Sequence, residues 1–105
     1  MGKKYKLRYL KLAQTDLLDI VSYISGQLYA PQAATELVDK LDKTISRLEQ
    51  FPFSGHPYTN KHKLEDGYRV LVVENYLVFY IVYDSDGIVE IRRIIYVKRN
   101  YEKLL

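Results

Sequence analysis

The segment Tyr76–Tyr83, YLVFYIVY, constrains the fold more than any other part of the chain. Its residues are apolar or aromatic at both odd and even positions, whereas a strand with one solvated face alternates apolar and polar residues. The run is short for a buried helix, and it is rich in β-branched and aromatic residues. We therefore predict a central strand that is covered on both faces.

Two more strands flank this segment. Tyr68–Val73 precedes it across a tight turn at Glu74-Asn75, and Ile88–Val97 follows the turn at residues 84–87, where Gly87 supplies a positive φ. Simple alternation along the last strand predicts two faces. One face carries Val89, Ile91, Ile95 and Val97, and the other carries Ile88, Glu90, Arg92, Ile94 and Tyr96.

The N-terminal half predicts one strand and two helices. In residues 3–10, cations alternate with Tyr and Leu, which is typical of a half-buried strand. Residues 12–28 change to helical spacing, with Asp16 and Asp19 on the face predicted to be solvated. Pro31 then begins a second helix, since a missing N–H costs nothing at the first helical position. The short link makes the two helices a hairpin.

The predicted order is therefore β-α-α-β-β-β, in one domain that spans residues 1–105. We expect an α+β fold in which the helical hairpin packs on an antiparallel sheet. Residues 52–66 contain Pro52, Gly55 and Pro57 among polar residues, so we predict a loop without regular structure there.

Charge is distributed unevenly along the chain. Residues 11–50 contain four basic and six acidic residues, whereas the remainder contains twelve basic and seven acidic ones. Such asymmetry favours a polyanionic partner on one side of the molecule. The chain has no cysteine and no apolar run long enough to span a bilayer, so we expect a cytoplasmic protein without membrane contact.

The sequence gives little support for a metal site or for a Ser–His–Asp catalytic triad. The two histidines, His56 and His62, lie in the loop without cysteine or a carboxylate at a readable spacing, so we expect neither a metal site nor a cofactor. Ser54 lacks the turn that exposes a nucleophilic serine.

A basic and tyrosine-bearing set remains in the C-terminal half, comprising Arg69, Arg92, Arg93, Lys98, Arg99 and Tyr101. Adjacent strands could bring these residues onto one surface. Metal-free RNA cleavage needs a base to activate the 2′-OH and cations to hold the charge that develops on the phosphate. Ordinary surface charge is the alternative for each arginine, and for Arg93, whose parity matches apolar neighbours, a buried salt bridge is favoured over catalysis.

The pattern as a whole resembles the RelE/ParE toxins of type II toxin–antitoxin systems. The residues that carry the resemblance span nearly the whole chain: Leu12–Ile20 with Tyr23-Ile24, Pro31–Ala34, Leu48–Pro52, Gly55–Pro57, Tyr68–Val70, Tyr76–Tyr80 and Ile91–Tyr96. Each segment is weak alone, but their order and spacing are fairly specific.

The resemblance implies a growth-arresting toxin with one of two activities, ribosome-dependent mRNA cleavage or inhibition of DNA gyrase. It implies Arg69, Lys98, Arg99 and Tyr101 as catalytic candidates. The candidates for nucleic-acid or target binding are Arg92, Arg93, Tyr96, Lys61 and Lys63. Leu71 and Leu77 stand where nuclease members carry Lys and Arg, and Tyr96 stands where a His often lies.

The implied partners are a cognate antitoxin and either the ribosome with its mRNA or gyrase. The resemblance also implies a homodimer or a heterotetramer with the antitoxin. A non-catalytic RNA-binding α+β module is the alternative from another class.

Overall fold

The computed structural model describes residues 4–59, 67–99 and 101–105. A five-stranded sheet in the order β1-β5-β4-β3-β2 carries two helices on one face. Strands β1–β5 comprise Lys6–Tyr9, His56–Pro57, Tyr68–Val73, Tyr76–Tyr83 and Ile88–Tyr96. Helices α1–α3 comprise Lys11–Ser22, Pro31–Ser46 and Tyr101–Leu104. The predicted α+β fold is confirmed.

The central strand β4 is covered on both faces, as its sequence predicts. Residues 77–81 of this strand are all buried. The first face of the sheet packs against α1 and α2 and contains the larger core. Its buried members are Tyr5, Ala13, Leu37, Leu41, Ile45, Leu48, Val73, Val78, Tyr80, Val89, Ile91 and Ile94. The second face holds a smaller cluster, Tyr68, Leu77, Phe79, Ile81 and Ile95, against which Tyr58, Tyr101 and Leu104 pack.

The sheet is mixed, whereas the sequence predicted an antiparallel one. Strand β1 pairs in parallel with β5, from Lys6 opposite Ile88 to Tyr9 opposite Ile91, and the other three pairings are antiparallel. The chain leaves β1 through both helices before it returns to the sheet. Such a long connection allows parallel pairing, which a tight hairpin cannot make.

A β-bulge in β5 corrects the predicted faces of this strand. Phe79 lies opposite Arg93 and Tyr80 lies opposite Ile91, so Arg92 is an extra residue. The bulge shifts the alternation by one position. Ile94 therefore joins Ile91 on the first face, and Ile95 lies on the second.

Two more local predictions need correction. The predicted loop contains the short strand β2, which pairs with Arg69 and Val70 of β3. The first predicted helix ends as a π-helical turn, Tyr23–Gln27, in which the N–H of Leu28 donates to the carbonyl of Tyr23 at 3.1 Å. Tyr29 then takes a φ of 50°, a left-handed conformation that reverses the chain before α2.

Candidate target-binding site

The predicted basic pair Lys98-Arg99 is exposed at the end of β5. The N–H of Val97 donates to the carbonyl of Asn75 at 2.8 Å, and the N–H of Arg99 donates to the carbonyl of Tyr96 at 3.0 Å. These bonds fix the backbone of the pair beside the β3–β4 turn. The pair therefore has a defined position and can contact a partner without rearrangement of the backbone.

Arg99 lines a cavity of about 830 Å³ between the π-helical turn, the β3–β4 turn and the end of β5. Most of its wall is apolar and comes from Ile20, Ile24, Leu28, Ala30, Ala33, Leu37 and Ile94. Three tyrosines, Tyr23, Tyr76 and Tyr96, also line it. An open apolar groove with a few polar groups is typical of a site for a partner's side chains.

The polar part of the lining consists of these tyrosines, Arg99, Asn75 and three carboxylates, Asp16, Asp19 and Glu74. The rings of Tyr76 and Tyr96 lie 5.5 Å apart, tilted by 56°. Burial raises the pKa of Tyr76, as do the neighbouring hydroxyls of Tyr96 and Tyr23. Tyr76 therefore stays protonated at neutral pH, and it is suited to hydrogen bonding rather than to proton abstraction.

Arg69 lies at a different place and holds a loop. Its Nη2 donates to the carbonyls of Phe53 at 2.9 Å and of Gly55 at 2.7 Å, and its guanidinium lies 5.3 Å from the centre of the Phe53 ring. Arg69 does not line the cavity that holds Arg99. The structure therefore does not bring these two catalytic candidates together.

Tyr80, a buried residue of β4, binds the same loop. Its hydroxyl donates to the carbonyl of Pro52 and accepts from the N–H of Gly55, both at 2.9 Å. Burial raises the pKa of Tyr80, although hydrogen bonds from Gly55 and Arg69 work in the opposite direction. Two side chains of the sheet thus fix residues 52–55, and this explains why β2 forms in a segment predicted to be irregular.

Arg93 makes a salt bridge, as its position among apolar neighbours favoured, and the pair is partly buried. Its Nε and Nη2 donate to the two carboxylate oxygens of Asp16, at 2.7 and 2.9 Å, and its Nη1 donates to the carbonyl of Leu104 at 2.6 Å. The Asp16 pairing raises the pKa of Arg93, against the effect of burial. Asp16 was predicted to face solvent, and that prediction is wrong.

Tyr101 packs into the second-face cluster. Its ring centre lies 5.8 Å from that of Phe79 and 6.2 Å from that of Tyr58. The remaining loop candidates, Lys61 and Lys63, lie outside the described residues. Of the predicted site residues that the structure describes, Tyr96 and Arg99 are the two that share the cavity.

Sequence reasoning missed a charged cluster on the second face. Glu90 is only 5% exposed, and one of its oxygens accepts from Nε and Nη2 of Arg8 at 2.8 and 2.6 Å. The other accepts from Nη1 of Arg92 at 2.7 Å. Burial works against the charge of Glu90, but the hydrogen bonds from Arg92 and Arg8 hold its pKa below the usual range. The available signal was a glutamate between apolar residues of a predicted strand; its position opposite Arg8 is known only from the structure.

Among the described residues, no three His, Cys, Asp or Glu side chains lie close enough together to hold a metal ion. The helices of the same residues include none with the length and apolar character that crossing a membrane requires.

A family model for the ParE toxin of parDE type II toxin–antitoxin systems matches residues 7–101. The chain belongs to the ParE toxin family. Comparison with curated protein sequences gives no match.

Solved structures support the fold of this toxin. A chain of the chromosomal ParDE system from P. aeruginosa superposes with a TM-score of 0.73 at 21% identity, covering 92% of the toxin and 100% of that chain. A chain of the RelBE2 toxin–antitoxin complex from Mycobacterium tuberculosis gives 0.62 at 19% identity, with 89% and 98% covered. A YafQ mutant from E. coli gives 0.56 at 14% identity, with 89% and 93% covered.

Proposed function

We propose that this toxin arrests growth by binding a protein target, DNA gyrase, and that it does not cleave RNA. One observation carries the proposal. Two positions at which the resemblance places cations in nuclease members carry leucine here, Leu71 and Leu77, and these two leucines lie on opposite faces of the sheet. Leu71 packs in the first-face core, whereas Leu77 packs in the cluster on the opposite face.

Two of the other candidates for RNA cleavage, Arg69 and Tyr101, already have structural roles. The guanidinium of Arg69 is bound to two loop carbonyls, and the ring of Tyr101 packs on Phe79. Phosphate cleavage requires a base and at least one cation aimed at the same phosphate. Moving these groups to a substrate would break contacts that hold the loop and the C-terminal turn, so we infer that they do not serve catalysis.

The cavity beside Arg99 is suited to a protein target instead. Tyrosine and arginine are the residues that most often dominate the energetics of protein interfaces, when they surround a pocket from which water is excluded. Here Tyr23, Tyr76, Tyr96 and Arg99 line one groove, whose wall is mostly apolar and also includes Asp16, Asp19 and Glu74. We propose that a projecting apolar segment of gyrase binds in this groove and that Arg99 pairs with an acidic group next to it.

We further propose an antitoxin partner, because two of the structural relatives are described as toxin–antitoxin systems. An antitoxin segment that is disordered when alone could fold on binding to the same groove and cover Arg99. We propose that the toxin binds both its antitoxin and gyrase in the cytoplasm.

The test is inhibition of purified gyrase. The wild-type toxin should block supercoiling of relaxed plasmid, and Arg99→Ala should weaken inhibition by roughly 30-fold or more, since a charge-assisted contact at an interface contributes about 2 kcal/mol or more. Lys43→Ala, an exposed lysine on α2, is the matched control and should inhibit like wild type.

The folded state must be checked beside the activity. Arg99 is exposed, so its loss should change the free energy of unfolding by less than about 0.5 kcal/mol. If Arg99→Ala inhibits gyrase as strongly as wild type, the site is wrong. If the wild-type toxin leaves gyrase active but cleaves mRNA on ribosomes, the proposed function is wrong.

A further inference from the structure

We propose that Asp19 selects the protein segment that binds in the groove beside Arg99, because it requires an arginine or lysine next to the apolar residues of that segment. The inference rests on the proposed target-binding role of this groove and names the chemistry of its ligand. Asp19 lies on α1, whereas Arg99 follows β5, so the two residues line the groove from different elements of the fold. The segment therefore carries a cation for Asp19 in addition to the acidic group for Arg99.

Of the three carboxylates that line the groove, Asp19 alone has no partner within the described part of the chain. Asp16 accepts from Arg93 at 2.7 Å. Glu74 forms an ion pair with Lys40 of α2. The carboxylate of Asp19 is exposed to solvent, so it is free to accept hydrogen bonds from a cation that enters the groove.

Tyr23 adds an aromatic face beside this carboxylate. Asp16, Asp19 and Tyr23 are separated by three and then four residues, so they lie on one side of α1 and its continuation. The side chain of Tyr23 is 55% exposed. A cation is attracted to the face of a tyrosine ring as well as to a carboxylate, and the planar guanidinium of arginine is suited to both contacts. We therefore expect arginine more often than lysine at this position of the segment.

Binding of an apolar segment makes Asp19 a selective contact. The wall beside it is mostly apolar and includes Ile20, Ile24 and Leu28. A segment that covers this wall removes water from the carboxylate, and a carboxylate that has neither water nor a partner is costly. A segment with a cation replaces the lost hydration by an ion pair, whereas an otherwise equal segment leaves the charge unpaired. Asp19 therefore acts chiefly against segments that lack a cation.

The experiment selects peptides from a random library displayed on phage, with the immobilised full-length toxin as the target. Asp19→Asn is used in parallel with the control Asp39→Asn, which changes an exposed carboxylate of α2 outside the groove. The wild-type toxin and the control should enrich peptides that carry Arg or Lys beside large apolar residues. Asp19→Asn should retain the apolar residues and lose the enrichment of basic ones.

One selected peptide and its analogue with glutamine in place of the basic residue are then titrated with the toxin by fluorescence anisotropy. The wild-type toxin should bind the analogue roughly tenfold more weakly, whereas Asp19→Asn should bind both peptides with similar dissociation constants. This loss of discrimination reports a contact with the cation of the peptide, since a structural effect of the substitution would weaken both peptides alike.

Three results would overturn the inference: no enrichment of basic residues, the same enrichment on Asp19→Asn, or a toxin dimer in sedimentation that dissociates in Asp19→Asn. The last result would assign Asp19 to a contact with a second copy of the chain.

Inhibition of gyrase tests the proposed target separately, because gyrase is absent from the peptide measurements. A toxin that inhibits gyrase but selects peptides without regard to Asp19 would refute only the inference. A toxin that selects arginine through Asp19 but leaves gyrase active would refute only the gyrase target.

Discussion

Replacement of Asp16 by alanine should destabilise the toxin more than any other exchange of a polar residue in α1. Asp16 lies where strand β1 has ended but β5 continues. Its carboxylate accepts the N–H of Ile94 at 2.9 Å and two N–H groups of Arg93 at 2.7 and 2.9 Å. The side chain thus takes the place of the missing strand partner at this edge of the sheet.

The magnitude follows from what the substitution leaves behind. Arg93 is only 16% exposed, and it would keep one hydrogen bond, to the carbonyl of Leu104. Removal of one partner from a buried ion pair costs about 3–5 kcal/mol, and an unsatisfied buried N–H adds about 1–3 kcal/mol. Part of this loss is recovered if water reaches Arg93, so we expect about 3 kcal/mol for Asp16→Ala, or roughly 12–24 °C in Tm.

The assay is urea unfolding followed by circular dichroism, with Asp19→Ala as the control. Asp19 is exposed in the same helix, and its loss should change the free energy of unfolding by less than about 0.5 kcal/mol. A double-mutant cycle with Arg93→Ala should show a coupling energy of about 2 kcal/mol. If Asp16→Ala unfolds within about 1 kcal/mol of wild type, the edge contact does not stabilise the fold as argued.

Two further predictions concern the loop and the charged cluster. Gly55→Ala should destabilise by about 1–3 kcal/mol in urea unfolding, because a Cβ there would lie 2.5 Å from the Tyr80 hydroxyl; wild-type stability would show that the loop can shift. The depressed pKa of Glu90 predicts stability that is fully present above its unfolded value, near 4.5, and is lost as the pH falls through the lower folded value. Between a pH of about 6 and 3, the free energy of unfolding of Glu90→Gln should lack this part of the pH dependence. A pH profile of unfolding identical to that of wild type would contradict the role of Glu90.

The order of helices and strands can be predicted from the sequence because hydrophobic periodicity is a local property of each segment. Tyr76–Tyr83 is apolar at every position, and this alone predicts a strand buried on both faces. Pro31 marks the start of α2, since its ring fits the first helical position. Parallel pairing of β1 with β5 could not be predicted in the same way, because nothing within Lys6–Tyr9 indicates which strand will lie beside it.

The candidate site was harder to predict than the fold. The β-bulge adds one residue at Arg92 and reverses the face of every later residue in β5, and no glycine or proline marks it in the sequence. Roles of arginines depend on partners that are distant along the chain. Arg69 contacts a loop 14–16 residues earlier, and Arg93 contacts Asp16, 77 residues away. Sequence spacing identifies such cations but cannot distinguish a target contact from a structural one.

The surroundings of these cations separate the structural arginines from the one proposed to contact a target. Arg69 and Arg93 point their charge at carbonyls and a carboxylate of the chain itself, so they stabilise a loop and a sheet edge. Arg99 lines an apolar groove, where a protein segment can exclude water around it. Arg8 likewise donates to a carboxylate of the chain itself, that of Glu90. An arginine thus stabilises the fold where the chain itself supplies the acceptor, whereas Arg99 is the arginine that we propose for target binding, because it lies exposed beside a mostly apolar wall.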